Sequence, residues 1–296
     1  MRPNTTMSTN DSPISAPFAA IPSILYGTAW KKDATAALVE LALRLGFRGI
    51  DTACQPKHYD EPGTGAGIAA CLGTVCQGTL LTREQLYLQS KFTPLDGQDP
   101  ARIPYDPKAS LSVQVAQSFA ASLQNLRTDY LDALVLHSPL RNAAHQAEVW
   151  QAMELIVEQG GARRIGISNC YQPTALEQLH RSARIKPSIV QNRFHADTGY
   201  DREIRAFCRD QAIVYQSFWT LTANPNVLAH RSVQALAAKY QRTPAQILFR
   251  ALTQQGIVPL TGTRSETHMR EDLAIFEFEL SADERAAVAA LLGARS

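Results

Sequence analysis

The 296-residue sequence lacks the features that mark membrane proteins, disulfide-rich secreted proteins and nucleic-acid-binding proteins. No apolar run approaches the ~20 residues that a membrane-spanning helix needs. The 29 Lys and Arg residues nearly balance the 27 Asp and Glu residues, and no block of like charge occurs, so we expect neither a nucleic-acid nor a membrane partner. The five cysteines are odd in number and never spaced as C-x-x-C, which argues against disulfides and indicates reduced thiols in the cytoplasm.

Several familiar site motifs are also missing. The sequence contains no G-x-G-x-x-G, no G-x-x-x-x-G-K-[ST], no H-E-x-x-H and no G-x-S-x-G. The seven histidines are dispersed, so we expect no metal site. The one glycine-rich stretch, Gly63–Gly67, misses the third position of the dinucleotide fingerprint and is interpreted as a turn and helix start. A Rossmann-type dehydrogenase is therefore disfavoured.

What the sequence does contain is a regular alternation of short apolar runs and longer amphipathic stretches. Residues 1–20 are polar, without the apolar core of a signal peptide, and are predicted to be a flexible tail. Eight strands are predicted after it, at 23–26, 47–51, 86–91, 131–136, 163–167, 188–191, 213–217 and 257–261. Nearly all are followed by helices, which predicts an α/β fold with a parallel sheet. Eight such units suit a single (β/α)8 TIM barrel over residues 21–296.

Two further points concern this fold. An extra C-terminal helix is predicted to open with the capping box Ser281-x-x-Glu284. A doubly wound open sheet would show the same alternation and is the alternative architecture.

Polar residues stand where three of the predicted strands end. They are Asp51, Lys91 and His137, and the loop after Asp51 adds Tyr59. Singly, each has an ordinary explanation as a turn, loop or strand-end residue. Together they would converge on the mouth of one barrel, which favours an active site. A lysine beside a phenol lowers its pKa, an aspartate keeps the lysine charged, and a histidine can hydrogen-bond a carbonyl oxygen.

The segments around these positions resemble the aldo-keto reductase family over residues 23–292. They are Gly46-Phe47-Arg48-Gly49-Ile50-Asp51-Thr52-Ala53, Tyr59-x-Glu61, Ser90-Lys91, Leu131-Asp132-x-x-x-x-His137-x-Pro139 and Arg164-Ile165-Gly166-Ile167-Ser168-Asn169. The resemblance implies a (β/α)8 barrel that uses NAD(P)H to reduce carbonyl compounds. It also implies that Tyr59 is the proton donor, that Lys91 supported by Asp51 depresses its pKa, and that His137 orients the carbonyl group.

The same resemblance assigns residues to the cofactor and substrate. Ser168, Asn169 and Gln191 match the family positions that hold the nicotinamide carboxamide, and Thr28 matches a further cofactor contact. The nicotinamide-stacking aromatic position aligns with Phe218, while a one-residue slip would give Tyr215 instead. Substrate contacts are expected from Trp30, His58 and Trp219, and the Phe92–Lys108 loop is expected to line or cover the site.

Three departures from the family pattern affect these expectations. The loop between Asp51 and Tyr59 is longer than usual, which places Lys57 and His58 near the substrate. The phosphate-clamp lysine of the family is replaced by Leu260, so Thr263 and Arg264 are expected to bind the phosphate of NADPH, with NADH also possible, and Thr261 is expected to be a further cofactor contact. Arg270 is favoured as a surface residue. The short C-terminus predicts an open pocket for small or varied carbonyls.

Other functions remain open at this stage. The chain could be a regulatory member of the same family that binds cofactor with little turnover. It could also be a barrel enzyme that uses Lys91 as a Schiff-base nucleophile, although a lysine paired with Asp51 would stay charged. A monomer is expected.

Overall fold

The structure, a computed structural model, describes residues 20–292. The flexible tail predicted for residues 1–20 lies, apart from residue 20, outside the described residues. Within residues 20–292, no helix combines the length and apolar character needed to cross a membrane. The same part of the chain contains no group of three or more His, Cys, Asp or Glu side chains arranged to hold a metal ion.

Eight parallel strands form a closed barrel, which confirms the predicted fold class. In chain order, the strands of the described residues are β1 Leu25–Gly27, β2 Gly49–Asp51, β3 Val75–Cys76, β4 Thr79–Leu80, β5 Tyr87–Phe92, β6 Ala133–Leu136, β7 Ile165–Ser168, β8 Ile189–Arg193, β9 Val214–Phe218 and β10 Val258–Thr261. The barrel order is β1-β10-β9-β8-β7-β6-β5-β2, so β1 closes the ring between β10 and β2. All eight predicted strands are present, and each of their ends lies within two residues of the predicted position. The open-sheet alternative is wrong.

Helices follow the barrel strands and cover their outer faces. They are α1 Thr35–Leu45, α2 Glu61–Ala69, α3 Leu111–Leu126, α4 Ala143–Glu158, α5 Pro173–Ser182, α6 Arg202–Asp210, α7 Pro225–Ala229, α8 Arg231–Tyr240, α9 Pro244–Thr253, α10 Glu266–Leu273 and α11 Ala282–Leu291. The extra C-terminal helix α11 is confirmed, and the capping box Ser281–Glu284 is formed at its start.

Burial explains why the strands are so apolar. All four residues of β6 are buried, because their side chains face alternately into the barrel and against the surrounding helices. Inside the barrel, a small apolar cluster contains Leu25, Tyr87, Ala133, Ile189 and Val258. The larger core lies between the strands and the helices. The polar residues at the strand ends are therefore held on a closely packed scaffold.

The glycine-rich stretch Gly63–Gly67 belongs to helix α2. The Asp60 side chain caps this helix by accepting a hydrogen bond from the backbone N–H of Gly63. A Cβ at Gly65 would lie 2.1 Å from the carbonyl oxygen of Asn125, and one at Gly67 would lie 2.5 Å from that of Ala36. These glycines therefore let α2 pack closely against its neighbours. The stretch lies in the first half of α2, in agreement with its interpretation as a helix start.

The short antiparallel pair β3–β4 was not expected from the sequence. Each of its strands has only two residues, and Val75 and Leu80 are exposed. Such a pair produces neither the alternation nor the continuous apolar run by which a strand is recognised.

Candidate active site

A buried ion pair lies at the carboxyl-terminal mouth of the barrel. Asp51 ends β2, and Lys91 lies near the end of the adjacent β5. The Lys91 Nζ atom is 2.7 Å from Asp51 Oδ2 and donates a second hydrogen bond to the backbone oxygen of Thr52 at 2.8 Å. The Lys91 side chain is only 1% exposed. Because both charges are removed from water, each depends on the other for its stabilisation.

Tyr59 reaches this ion pair from the longer loop after β2. The loop is held by backbone hydrogen bonds from Tyr59 N to Gln55 O, 3.0 Å, and from Trp30 N to His58 O, 2.7 Å. The Lys91 Nζ atom lies 5.2 Å from the centre of the Tyr59 ring. The His137 ring is 5.9 Å from that of Tyr59, in an edge-to-face arrangement. The four residues singled out in the sequence are therefore neighbours in space.

Burial dominates the protonation of this cluster. It raises the pKa of Tyr59, and the Asp51 carboxylate acts in the same direction. This direction is opposite to the depression by Lys91 that the resemblance implied, because loss of hydration disfavours the charged phenolate. Burial also lowers the pKa of Lys91, against which the charge of Asp51 acts.

His137 is a neutral imidazole at physiological pH. Burial, with the positive charge of Lys91 adding to it, lowers the pKa of His137 to about 3. Its Nδ1 atom is 2.6 Å from the hydroxyl oxygen of Thr93, and its backbone oxygen accepts a hydrogen bond from Asn169 Nδ2 at 2.8 Å. A neutral imidazole has one N–H and one acceptor nitrogen. If Nδ1 accepts a hydrogen bond from the Thr93 hydroxyl, Nε2 carries the N–H and is a donor; if Nδ1 donates, Nε2 is an acceptor.

A cavity of about 1220 Å³ opens above these residues and extends to helix α10. It is large for a single small molecule, since ordinary ligand pockets occupy roughly 300–1,000 Å³. Residues predicted as site residues that line it are Trp30, Asp51, His58, Tyr59, His137, Ser168, Asn169, Gln191, Phe218, Trp219, Thr261, Thr263 and Arg264. Lys91 lies beneath, in contact with Asp51 and Tyr59.

Two tryptophans stand at the rim of the cavity. Trp30 stacks on His58 with ring centres 3.9 Å apart, and the Arg193 guanidinium lies 3.8 Å from the Trp219 ring centre. Both indoles are about half exposed. Trp30 and Trp219 also have positive φ angles, 63° and 57°, a conformation that is uncommon for bulky residues and is often found at functional sites.

The residues assigned to the nicotinamide lie on adjacent strands. Ser168 ends β7, where its hydroxyl donates to the backbone oxygen of Gln191 on β8 at 2.7 Å. Phe218 ends β9 and lines the cavity. The alternative Tyr215 faces outward, where its hydroxyl donates to Asp201 at 2.9 Å. Thr28 is buried beside the cavity and donates to the backbone oxygen of Asp51 at 3.1 Å.

The far end of the cavity carries two cations. Lys31 and Arg264 both line it, and Lys31 donates a hydrogen bond to the backbone oxygen of Gly262. Burial and the nearby Arg264 charge lower the pKa of Lys31 to about 8. Neither forms an ion pair with a carboxylate of the described residues. Arg270, in contrast, is exposed and pairs with Glu266 at 2.6 Å, as favoured for a surface residue.

Several cavity residues were missed in the sequence. Lys31 directly follows Trp30 after the first strand, and that position was the available signal. His268 and Glu271 on α10 also line the cavity. Gln89 and Gln216 lie beneath it and bond to Asp51 and Gln191, which no local motif indicates. The Phe92–Lys108 loop places Thr93 against His137, while Tyr105 is buried and donates to the Thr93 backbone oxygen at 2.9 Å.

Comparison with known proteins agrees with this architecture. The model of the Aldo/keto reductase family matches residues 24–292. A glyoxal reductase from Bacillus subtilis (strain 168) is 30% identical over 253 residues, which are 86% of this chain and 82% of that protein. A probable NAD(P)H-dependent D-xylose reductase from Arthroderma otae is 28% identical over 310 residues, covering 92% and 88% of the two chains.

A solved structure shows the same fold. The aldo/keto reductase from Brucella melitensis superimposes with a TM-score of 0.75 at 24% identity, and the match covers 92% of this chain and 95% of that one. The chain therefore belongs to the aldo/keto reductase family and is an NAD(P)H-dependent oxidoreductase that acts on carbonyl groups.

Proposed function

We propose that this protein reduces small aldehydes and ketones to alcohols, with Tyr59 as the proton donor to the carbonyl oxygen. The observation that carries this proposal is the placement of Tyr59 over the Lys91–Asp51 ion pair and beside His137, at the base of the large cavity. The family relationship supports carbonyl reduction in general, and the glyoxal reductase relative makes a small dicarbonyl compound a suitable first substrate.

The chemistry follows from the charges around Tyr59. Its raised pKa keeps the phenol protonated before the reaction, so a proton is available at its hydroxyl. As the carbonyl oxygen gains negative charge, that proton moves to it and leaves a phenolate. The Lys91 ammonium group stabilises this phenolate, since opposite charges within ~4–6 Å favour ionised forms. Asp51 holds the ammonium in place.

His137 positions the substrate in this scheme. It is neutral, and in the tautomer with Nδ1 facing Thr93 as an acceptor, Nε2–H can donate to the carbonyl oxygen. Trp30, His58 and Trp219 line the part of the cavity through which the substrate would enter.

The cavity has the features that a nicotinamide cofactor requires. Amides and a hydroxyl from Ser168, Asn169 and Gln191 stand at the mouth, and the cations Lys31 and Arg264 stand at the far end. Two neighbouring cations without a carboxylate partner in the described chain favour a phosphate-bearing ligand. When bound, the reduced nicotinamide supplies the hydride that the carbonyl carbon accepts.

Within this proposal NADPH is the preferred cofactor, and NADH is an alternative. Thr263 and Arg264 would contact the additional phosphate in place of the absent lysine at Leu260. The Thr261 hydroxyl donates its hydrogen bond to Asp272 at 2.6 Å, so it cannot donate the same proton to the cofactor. Burial raises the pKa of Asp272 to about 6. Thr28 would act only indirectly, through the backbone of Asp51.

The test is the Tyr59→Phe variant assayed with NADPH and a panel of glyoxal, methylglyoxal and simple aldehydes. We expect wild-type turnover and a fall in kcat of about 10²–10⁴ in the variant, the usual contribution of a general acid. The dissociation constant for NADPH, from fluorescence quenching, should change little. Tight NADPH binding without turnover by the wild type would indicate a regulatory protein. Full activity of Tyr59→Phe would exclude the proposed proton donor.

A further inference from the structure

A network of buried amides lies directly below the catalytic ion pair. Gln89 Nε2 donates to Asp51 Oδ1 at 2.6 Å, and Gln191 Nε2 donates to the same oxygen at 2.9 Å. Gln216 Oε1 is 2.9 Å from both of these amide nitrogens. All three glutamines are buried, on β5, β8 and β9 of the barrel.

The carboxylate fixes the orientation of every amide in this network. An ionised aspartate can only accept, so the Gln89 and Gln191 atoms that face Asp51 must be their NH₂ groups. The Gln216 atom that faces both NH₂ groups must then be its oxygen. Gln216 Nε2 in turn donates to Gln89 Oε1 at 3.1 Å, and the Tyr87 hydroxyl donates to that same oxygen at 2.8 Å. Each amide therefore has one orientation.

The orientation of Gln191 determines what it offers to the cavity. One of its N–H groups bonds to Asp51 and the other to Gln216. The polar atom left for the cavity, which Gln191 lines, is its carbonyl oxygen. A carbonyl oxygen can only accept a hydrogen bond, so the ligand group above it must be a donor.

We propose that Gln89 and Gln216 are positioning residues that lock Gln191 with its oxygen toward the cavity, and so select an N–H donor at the carboxamide end of the cofactor. This inference rests on the proposed use of a nicotinamide cofactor. It makes the cofactor contact depend on the catalytic carboxylate, because Asp51 is the acceptor that sets the whole network.

The test compares binding of NADPH with binding of its 3-acetylpyridine analogue, in which a methyl group replaces the carboxamide NH₂. Binding is measured by quenching of protein fluorescence, without any need for turnover. The wild type should bind NADPH about 10-fold more tightly, the effect of leaving one buried acceptor unpaired. In Gln216→Met the Gln191 NH₂ group keeps Asp51 as an acceptor but loses Gln216, so the Gln191 oxygen is held less firmly toward the cavity and the preference should fall to about 2-fold or less.

Three further variants make the result specific. Gln89→Met should reduce the preference in the same direction. Gln216→Glu, neutral in this buried site, can accept through its carbonyl oxygen and donate to Gln89 through its hydroxyl, so it should restore the wild-type preference. Gln114→Met is the matched control: this buried glutamine on α3 donates to the backbone oxygen of Ala109 and lies outside the cavity. Its preference should equal that of the wild type.

The outcomes separate the two proposals. If the wild type binds neither nucleotide, the proposed function fails. If the wild type binds both equally well, or if folded Gln216→Met and Gln89→Met keep the full preference, the inference about the glutamines is wrong while the reductase proposal stands.

Discussion

Removing the Lys91 ammonium should destabilise the whole protein and not only abolish its activity. In Lys91→Met, Asp51 keeps its two amide donors on Oδ1 but loses the ammonium 2.7 Å from Oδ2. Breaking a buried ion pair by removing one partner costs about 3–5 kcal/mol, because the remaining charge stays out of water. That is a large part of the ~5–15 kcal/mol that stabilises a typical protein.

Removing the Asp51 charge as well should reverse most of this destabilisation. In the double variant Lys91→Met/Asp51→Asn neither charge of this ion pair remains, and the Asn oxygen can still accept from Gln89 and Gln191. Replacing both members of a buried pair is often close to neutral, so the double variant should recover more than half of the lost stability. As a control, Lys239→Met removes an exposed lysine that pairs with Glu284 and should cost less than about 1 kcal/mol.

Equilibrium urea denaturation at neutral pH, followed by circular dichroism, measures these three variants and the single variant Asp51→Asn, which completes the cycle. The coupling energy from the double-mutant cycle isolates the Lys91–Asp51 interaction. If Lys91→Met loses less than about 1 kcal/mol, or if the double variant is no more stable than the single one, the ion pair does not have the energetic role assigned to it.

Three other predictions concern different parts of the molecule. The pKa of His137 is lowered from 6.5 to about 3, so between these pH values the unfolded chain binds a proton at His137 that the folded protein does not. The free energy of unfolding should therefore fall as the pH decreases from about 6.5 toward 3. Urea titrations of His137→Gln should show a shallower fall over the same pH range. Arg264→Leu should weaken NADPH binding about 10-fold or more with little effect on NADH, whereas equal weakening of both would show that Arg264 does not contact the additional phosphate. Gly65→Ala should lower the free energy of unfolding by about 1–3 kcal/mol in thermal or urea unfolding, because the new Cβ meets the Asn125 backbone. In the control Gly73→Ala no atom lies within 4 Å of the new Cβ, so only the backbone strain of the positive φ should be observed.

The parts of the fold that the sequence predicted are those with a repeated physical pattern. Each barrel strand needs an apolar run because both of its faces are covered, and each helix needs an apolar stripe. Asp51, Lys91 and His137 could be identified because the ends of parallel strands meet at one mouth. The β3–β4 pair escaped detection because two-residue strands have no periodicity.

The site was less predictable where it depends on burial and long-range contacts. The position of Tyr59 depends on how a longer loop folds, which spacing alone does not determine. The direction of its pKa shift depends on lost hydration, which is a property of the folded cavity and not of neighbouring residue types. Gln89 and Gln216 are 127 positions apart in the chain, so their contact could not be read from any local motif.

The closure of the barrel by β1 and β10 has a consequence for biosynthesis. Leu25 pairs with Leu260 and Tyr26 with Thr261, so β1 must wait until the ribosome has made β10, more than 230 residues later, before this side of the barrel can close. Until then, the nascent chain has exposed strand edges, which readily pair with other chains. Such distant pairing also slows folding. Chains cut short before residue 258 should therefore aggregate or depend on chaperones, although they already contain Asp51, Tyr59, Lys91 and His137.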